Sequence, residues 1–313
     1  MAEPVERNRF TDAATVSGYR LGSLAARLMP GPLAAAAASS IGFSASVANP
    51  ARREMFQRHL RRVNPNMGRA AMRVATQTAF DSYAKYYVES FRLPTMSKQA
   101  VERGFTKEGY REHIVPALER GNGVILALPH LGGWEWAGRW MTDQGHKLTV
   151  VVEPLEPPEL FEWFADLRKD LGMNVVPLGP KAGSTVLKAL RDNEVVCLLC
   201  DRDLDHTGVD VEFFGERTTL PAGPATLSLR TGAPILPTGV YFTERYNGHH
   251  AIVRPPVPIH RLGGGLRDDV ARVTQLLAHE LEFLIRRAPE QWHLFQPNWP
   301  SDPGYAESVK SAD

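Results

Sequence analysis

Hydrophobic and polar positions recur with two different periods along this chain, and the change falls near residue 107. Upstream, apolar and small residues return at helical spacing. The pattern predicts helices over 11–29, 33–48, 50–63 and 67–92. The last carries Met72, Ala75, Ala79, Tyr83 and Tyr86 along one side, and these aromatics read as core packing rather than as a ligand box. Pro94 ends that run, because proline lacks the N–H a helix interior needs. Downstream, short apolar runs predict strands at VILAL (124–128), LTVVV (148–152), NVVPL (174–178), VVCLLC (195–200), APILPTGV (233–240) and HHAIV (249–253). Amphipathic stretches at 132–144, 158–171, 182–192 and 222–231 lie between them. A final helix over 268–287 sets Val270, Val273, Leu277, Leu281 and Leu284 on one side, and the stretch after 300 reads as loosely held.

Strands alternating with helices predict an α/β fold: a mainly parallel central sheet flanked by helices, preceded by an N-terminal helical segment that associates with membrane. The division is a helical N-terminal region over 1–104 and an α/β core over 105–300, together one globular domain. In open sheets of this kind ligands bind at the carboxyl ends of the strands. Functional residues are therefore expected just after the apolar runs.

Charge adds a second asymmetry. Residues 1–75 hold eleven Arg and no Lys against Glu3, Glu6, Asp12 and Glu54, a net +7, while residues 76–313 carry −6. The cluster Arg52, Arg53, Arg58, Arg61 and Arg62 predicts attraction to an anionic phospholipid surface, with a solvated basic face as the competing reading. No zinc-finger, RNA-recognition or helix-turn-helix pattern supports nucleic acid as the partner. The uncharged run from Leu28 to Ala51 is long enough to span a bilayer. It is rich in Ala, Ser and Gly and holds Pro30, Pro32 and Pro50, which favours an interfacial or buried helix. It also lies too late for a secretory signal.

The two cysteines, Cys197 and Cys200, sit in the predicted strand VVCLLC. Strand positions three apart face opposite ways, and a single pair is half a zinc site. Both read as core thiols in a reducing compartment, and no metal site is expected.

His130 follows the strand VILAL directly, with Glu135 five residues on. Within one helix these positions diverge by about 140°. They meet only if His130 lies on the strand-to-helix turn and Glu135 in the first helical turn, with Gly132 and Gly133 supplying the bend. Glu135 would then hold one imidazole nitrogen, leaving the other to take a proton from a substrate hydroxyl. A structural histidine is the alternative. G-x-S-x-G is absent, so no protein nucleophile is evident and direct attack by an acceptor alcohol is the simplest chemistry. Asp201, Arg202 and Asp203 follow a later strand. Arg202 reads either as an oxyanion ligand or as the partner of a neighbouring Asp. Pro221 and Gly223 open the helix after them, whose free N–H groups would face an anion or simply start a proline-initiated helix.

These blocks form an ordered set: H-x-x-x-x-E after a strand, D-R-D after a later one, F-F-G with P-x-G-P-A, then G-A-P-I-L-P. Over about 107–295 the set resembles the bacterial lipid acyltransferases of the lysophospholipid acyltransferase superfamily, in the lipid A branch. The resemblance implies that His130 is the base and Glu135 its partner, and that Arg202 contacts acceptor phosphate or similar groups. It also implies that Phe213 to Gly223 shape the acceptor and acyl sites, with Pro234 to Pro237 as the fourth block. The chain departs from that branch at its end, PEQWHLFQPNW (289–299), which has no Arg pair, and in lacking a clear N-terminal span. Both departures look more like the actinobacterial enzymes that acylate phosphatidylinositol mannosides. That likeness implies a palmitoyl group passing from acyl-CoA, as a donor substrate rather than a cofactor, to a mannose hydroxyl at the cytoplasmic face of the inner membrane. It adds Glu153, Arg168 and His293 as candidates for the headgroup or CoA region. Read from the residues, Glu153 lies on the right sheet edge, Arg168 could be surface, and His293 could be a core histidine. An acyl-carrier-protein donor and a lipid esterase are the alternatives.

Overall fold

The computed structural model describes residues 9–263 and 265–312. Four helices come first: α1 (Arg9–Leu28), α2 (Gly31–Ala48), α3 (Pro50–Val63) and α4 (Arg69–Arg92). The alternating part then runs α5 (Lys98–Arg103), β1 (Phe105–Glu108), α6 (Val115–Glu119), β2 (Val124–Leu128), α7 (Trp134–Asp143), β3 (Leu148–Val152), α8 (Pro158–Asp170), β4 (Met173–Pro177), α9 (Ala182–Arg191) and β5 (Val195–Leu199). A hairpin of β6 (Val209–Phe213) and β7 (Glu216–Leu220) follows, then α10 (Gly223–Thr231), β8 (Ile235–Phe242), β9 (His249–Val253), α11 (Leu266–Arg286) and α12 (Tyr305–Ala312).

The sheet has seven strands in the order β1-β9-β8-β2-β5-β3-β4. Every pairing is parallel except β8 with β9, as the alternating pattern predicted. Both faces are covered. One core layer packs Ala225 of α10 and Leu277 and Leu281 of α11 with Ile125 and Val196, and the other sets Trp136 and Trp140 against Leu126 and Val150. The β2 strand is buried at all five positions, which explains its continuous apolar run.

Several elements escaped the sequence reading, among them the short helices α5 and α6, the last helix α12, the strand β1 and the β6–β7 hairpin. β1 is four residues of mixed polarity on an edge, too short to show a period. The hairpin turns through Phe214 and Gly215, both at positive φ, the geometry of a two-residue loop matched to strand twist. The F-F-G block is thus a turn whose phenyl rings are buried beside Trp292 and Trp299, while the later Pro221, Ala222 and Gly223 line a cavity.

The N-terminal helices pack unusually. α2 buries Ala34, Ala38, Gly42 and Ser46, one residue every fourth position, and lies so close to α4 that a Cβ on Gly42 would stand 2.5 Å from Asp81. Its large side chains Leu33, Ile41, Phe43 and Val47 face outward, as do Leu21, Leu24 and Leu28 of α1. α2 is the one helix among the described residues long and apolar enough to cross a membrane by length and composition, and 22% of it is buried.

The Arg cluster on α3 is only partly a surface feature. Arg62 pairs with Asp302 (2.8 Å) and Glu216 (2.7 Å), and Arg58 lies 3.6 Å from Asp302, while Arg52 and Arg61 are exposed. Arg7, Glu3 and Glu6 lie outside the described residues. The start of the stretch after 300 is anchored, where the sequence reading expected it loosely held. Asp302 is buried and takes the backbone N–H groups of Asn298 and Trp299 at 3.0 and 3.1 Å.

Candidate active site

The parallel register sets Leu128 beside Leu199 and continues past both strands, with the Cys200 N–H donating to the Leu128 carbonyl at 2.8 Å. That alignment brings His130 opposite Asp201. The Asp201 carboxylate accepts from His130 Nδ1 at 2.7 Å through Oδ1, and from the His130 backbone N–H at 3.0 Å through Oδ2. Asp201 is fully buried. Burial works against its charge, but His130 and the indole of Trp292 outweigh this and hold its pKa below the usual carboxylate range. With Nδ1 occupied, Nε2 is the ring nitrogen left for other partners, and the side chain is one-third exposed (33%).

Glu135 does not hold His130. It does occupy the first turn of α7, where the sequence reading put it, but its carboxylate is bound to other groups. Glu135 Oε1 accepts from Arg168 Nε at 3.0 Å and from the Tyr86 hydroxyl at 3.0 Å, and Arg168 Nη2 lies 2.8 Å away. The correction has a register cause. The residue directly across the ladder from His130 is nearer than one five positions along the chain. Burial raises the Glu135 pKa, against the opposing pull of Arg168. Arg168 is itself buried, with its guanidinium 5.1 Å from the Trp134 ring, so the surface alternative for it is excluded.

The glycines of H-L-G-G are required by the turn. Gly132 lies at φ +59° and a Cβ there would meet the Val240 carbonyl at 2.1 Å; one on Gly133 would meet His249 at 2.5 Å.

Two cavities meet at His130. One, about 310 Å³, is mostly apolar, lined by Val151, Leu178, Leu198, Leu199 and Leu204, and it includes Asp203, Pro221 and Gly223. The other, about 210 Å³, is aromatic and polar, lined by Tyr83, Tyr86, Tyr87, Trp134 and Phe164 with Arg168 and His293. Glu153 and Arg202 line both and lie 3.4 Å apart, so Arg202 takes its carboxylate partner from the residue just after β3 rather than from a neighbouring Asp. The tyrosines of α4 are therefore cavity walls, not merely core. Their spacing alone could not reveal this, because a wall and a core share one apolar helix face. Asp203 accepts the Gly208 N–H at 2.9 Å and pins the loop after β5. His293 is buried against Ser82, 2.8 Å from its hydroxyl, and burial followed by the His130 charge lowers its pKa to about 3. It is neutral at physiological pH.

Cys200 is buried and Cys197 half-buried on β5, and burial pushes the Cys197 thiol up to about 12. Neither is a nucleophile at neutral pH. No group of three or more metal-ligating side chains lies together among the described residues.

An exposed imidazole oriented by a buried carboxylate, between an apolar cavity and a polar aromatic one, is the arrangement expected of an enzyme that joins a hydrocarbon chain to a polar acceptor. The chain belongs to the bacterial lipid A biosynthesis acyltransferase family, whose pattern matches residues 6–301. It is 37% identical over 302 residues to a protein named phosphatidylinositol mannoside acyltransferase from Mycobacterium tuberculosis, covering 95% of this chain and 92% of that one. It is 35% identical to the protein of the same name from Mycolicibacterium smegmatis, covering 94% and 93%. A lipid A biosynthesis acyltransferase from Haemophilus influenzae is 25% identical over 185 residues, 58% of this chain and 55% of that one.

Proposed function

We propose that the protein transfers a long-chain fatty acyl group, palmitoyl as in the sequence reading, from acyl-CoA to a mannose hydroxyl of a phosphatidylinositol mannoside. The observation that carries this reading is His130, tied to Asp201 through Nδ1 and bordering both cavities. The apolar cavity suits the acyl chain. The aromatic cavity suits a sugar, whose C–H faces pack on rings and whose hydroxyls take polar groups such as Arg168 and Glu153.

The reaction follows from that placement. His130 Nε2 takes the proton of the sugar hydroxyl as its oxygen attacks the thioester carbonyl. Asp201 stabilises the imidazolium that forms. The tetrahedral intermediate collapses with cleavage of the C–S bond, and CoA leaves as thiolate, which the imidazolium can protonate. No acyl-enzyme is formed, consistent with the raised thiol pKa of Cys197. The exposed Leu24, Leu28, Leu33 and Phe43 of α1 and α2, with the exposed Arg52 and Arg61 on the next helix, suit the cytoplasmic leaflet of the inner membrane, where the acceptor would stay partly embedded.

The test is incubation of purified enzyme with labelled palmitoyl-CoA, or the corresponding carrier-protein thioester, and a panel of membrane glycolipids, with products identified by mass spectrometry. Mannose-acylated product from the CoA thioester is expected. His130→Ala should fold normally and lose about 10²–10⁴-fold in turnover. Turnover within a few-fold of the parent would refute the assignment of the base.

A further inference from the structure

We propose that Trp292 is a positioning residue for acyl transfer: its indole N–H fixes the rotation of the Asp201 carboxylate and so the orientation of the His130 imidazole. The proposal rests on the reading of His130 and Asp201 as the base and its partner.

The geometry is specific. Trp292 Nε1 donates to Asp201 Oδ2 at 2.7 Å, sharing that oxygen with the His130 backbone N–H, and this leaves Oδ1 aimed at the ring nitrogen. Both Asp201 and Trp292 are fully buried. A buried indole N–H needs an acceptor, and a buried carboxylate needs its lone pairs filled, so each satisfies the other. Without the indole, Oδ2 keeps one donor, and the carboxylate can turn about its Cβ–Cγ bond.

The donor is also neutral. A lysine or arginine in its place would offset the negative charge that faces the imidazole. An indole holds the carboxylate and leaves that charge in force.

Trp292 cannot easily move. Its residue pairs with Leu131 in an antiparallel bridge, flanked by Gly132 N–H to the Gln291 carbonyl at 2.9 Å and His293 N–H to the His130 carbonyl at 2.7 Å. Asn298 from the same segment donates to the Asp201 carbonyl at 3.1 Å. The C-terminal segment thus grips both members of the pair. Asp302 anchors that segment in turn, through Arg62 and through the N–H groups of Asn298 and Trp299.

The test compares parent, Trp292→Phe, Asp201→Asn and His130→Ala enzymes by steady-state kinetics and by the proton resonance of the His130 ring N–H. Trp292→Phe keeps most of the ring packing against Phe214, His59 and Trp299 while removing the donor. The expected result is kcat about tenfold or more lower, from loss of a hydrogen bond to a charged group. KM for both substrates should stay within about twofold, with the ring N–H resonance shifted or broadened as in Asp201→Asn. If Trp292→Phe does not fold, benzothienylalanine in place of Trp292 keeps the shape, exchanges N–H for sulfur and carries the same expectation. Parent-like kcat with an unchanged resonance overturns the proposal. So does a kcat loss that leaves the resonance as in the parent, which marks a purely structural role. Inactive His130→Ala and Asp201→Asn beside a parent-like Trp292→Phe would sink this proposal alone, whereas active His130→Ala would sink the reading of the site itself.

Discussion

Replacing Glu135 separates two roles that its position in the sequence would merge. If it oriented His130, its loss would mimic loss of the base. The structure instead places it under Arg168 and Tyr86, with both Glu135 and Arg168 buried. Glu135→Ala leaves the Arg168 guanidinium, held charged beside Glu135, without its carboxylate. Removing one member of a buried pair costs about 3–5 kcal/mol. Glu135→Gln keeps the volume and an amide acceptor but loses the charge, and about 1.5–3 kcal/mol is expected for hydrogen bonds of this type. Replacing both residues by Met should recover much of the Glu135→Ala loss, because no charge then stays buried. Urea unfolding followed by circular dichroism reads these differences as a shift in midpoint at constant m. In kinetics, Glu135→Gln should raise acceptor KM several-fold, since Arg168 lines the cavity proposed for the acceptor, with kcat close to the parent's. A variant with parental stability and a kcat as low as that of His130→Ala would refute the reasoning and restore Glu135 as the partner of the base.

Two other outcomes follow from the same geometry. The folded-state pKa of His293 lies near 3, below the unfolded value of about 6.5, so its contribution to stability is fully present above pH 6.5 and is lost as pH falls toward 3. Between pH 6.5 and 5 the unfolding free energy should fall by up to about 1.4 kcal/mol per pH unit from this group, and His293→Asn should flatten that slope. His146, also lowered by burial, acts in the same window, so the quantity to compare is the difference between parent and variant in urea titrations. Gly132→Ala places a Cβ against the Val240 carbonyl at positive φ, which should cost about 1–3 kcal/mol and displace His130 from Asp201. Calorimetry and turnover should fall together, and parental values for both would show that the turn relaxes freely.

The sequence by itself determined the mainly parallel α/β fold, the strands β2, β3, β5 and β9 nearly to the residue, and the placing of His130 at a strand end. Periodicity and strand-end position are local properties, written in neighbouring residues. It also marked Glu153, Arg168, Arg202 and His293, all of which the fold gathers around His130. What only the tertiary structure decided was which groups touch. The partner of His130 proved to be Asp201, seventy-one positions away, because parallel strands align residues that the chain keeps apart. Tyr83 and Tyr86 became cavity walls, Arg58 and Arg62 turned inward to Asp302, and Trp292 reached the site from the far end of the chain. Contacts of that kind depend on register and on the packing of distant elements, which no period along the sequence encodes.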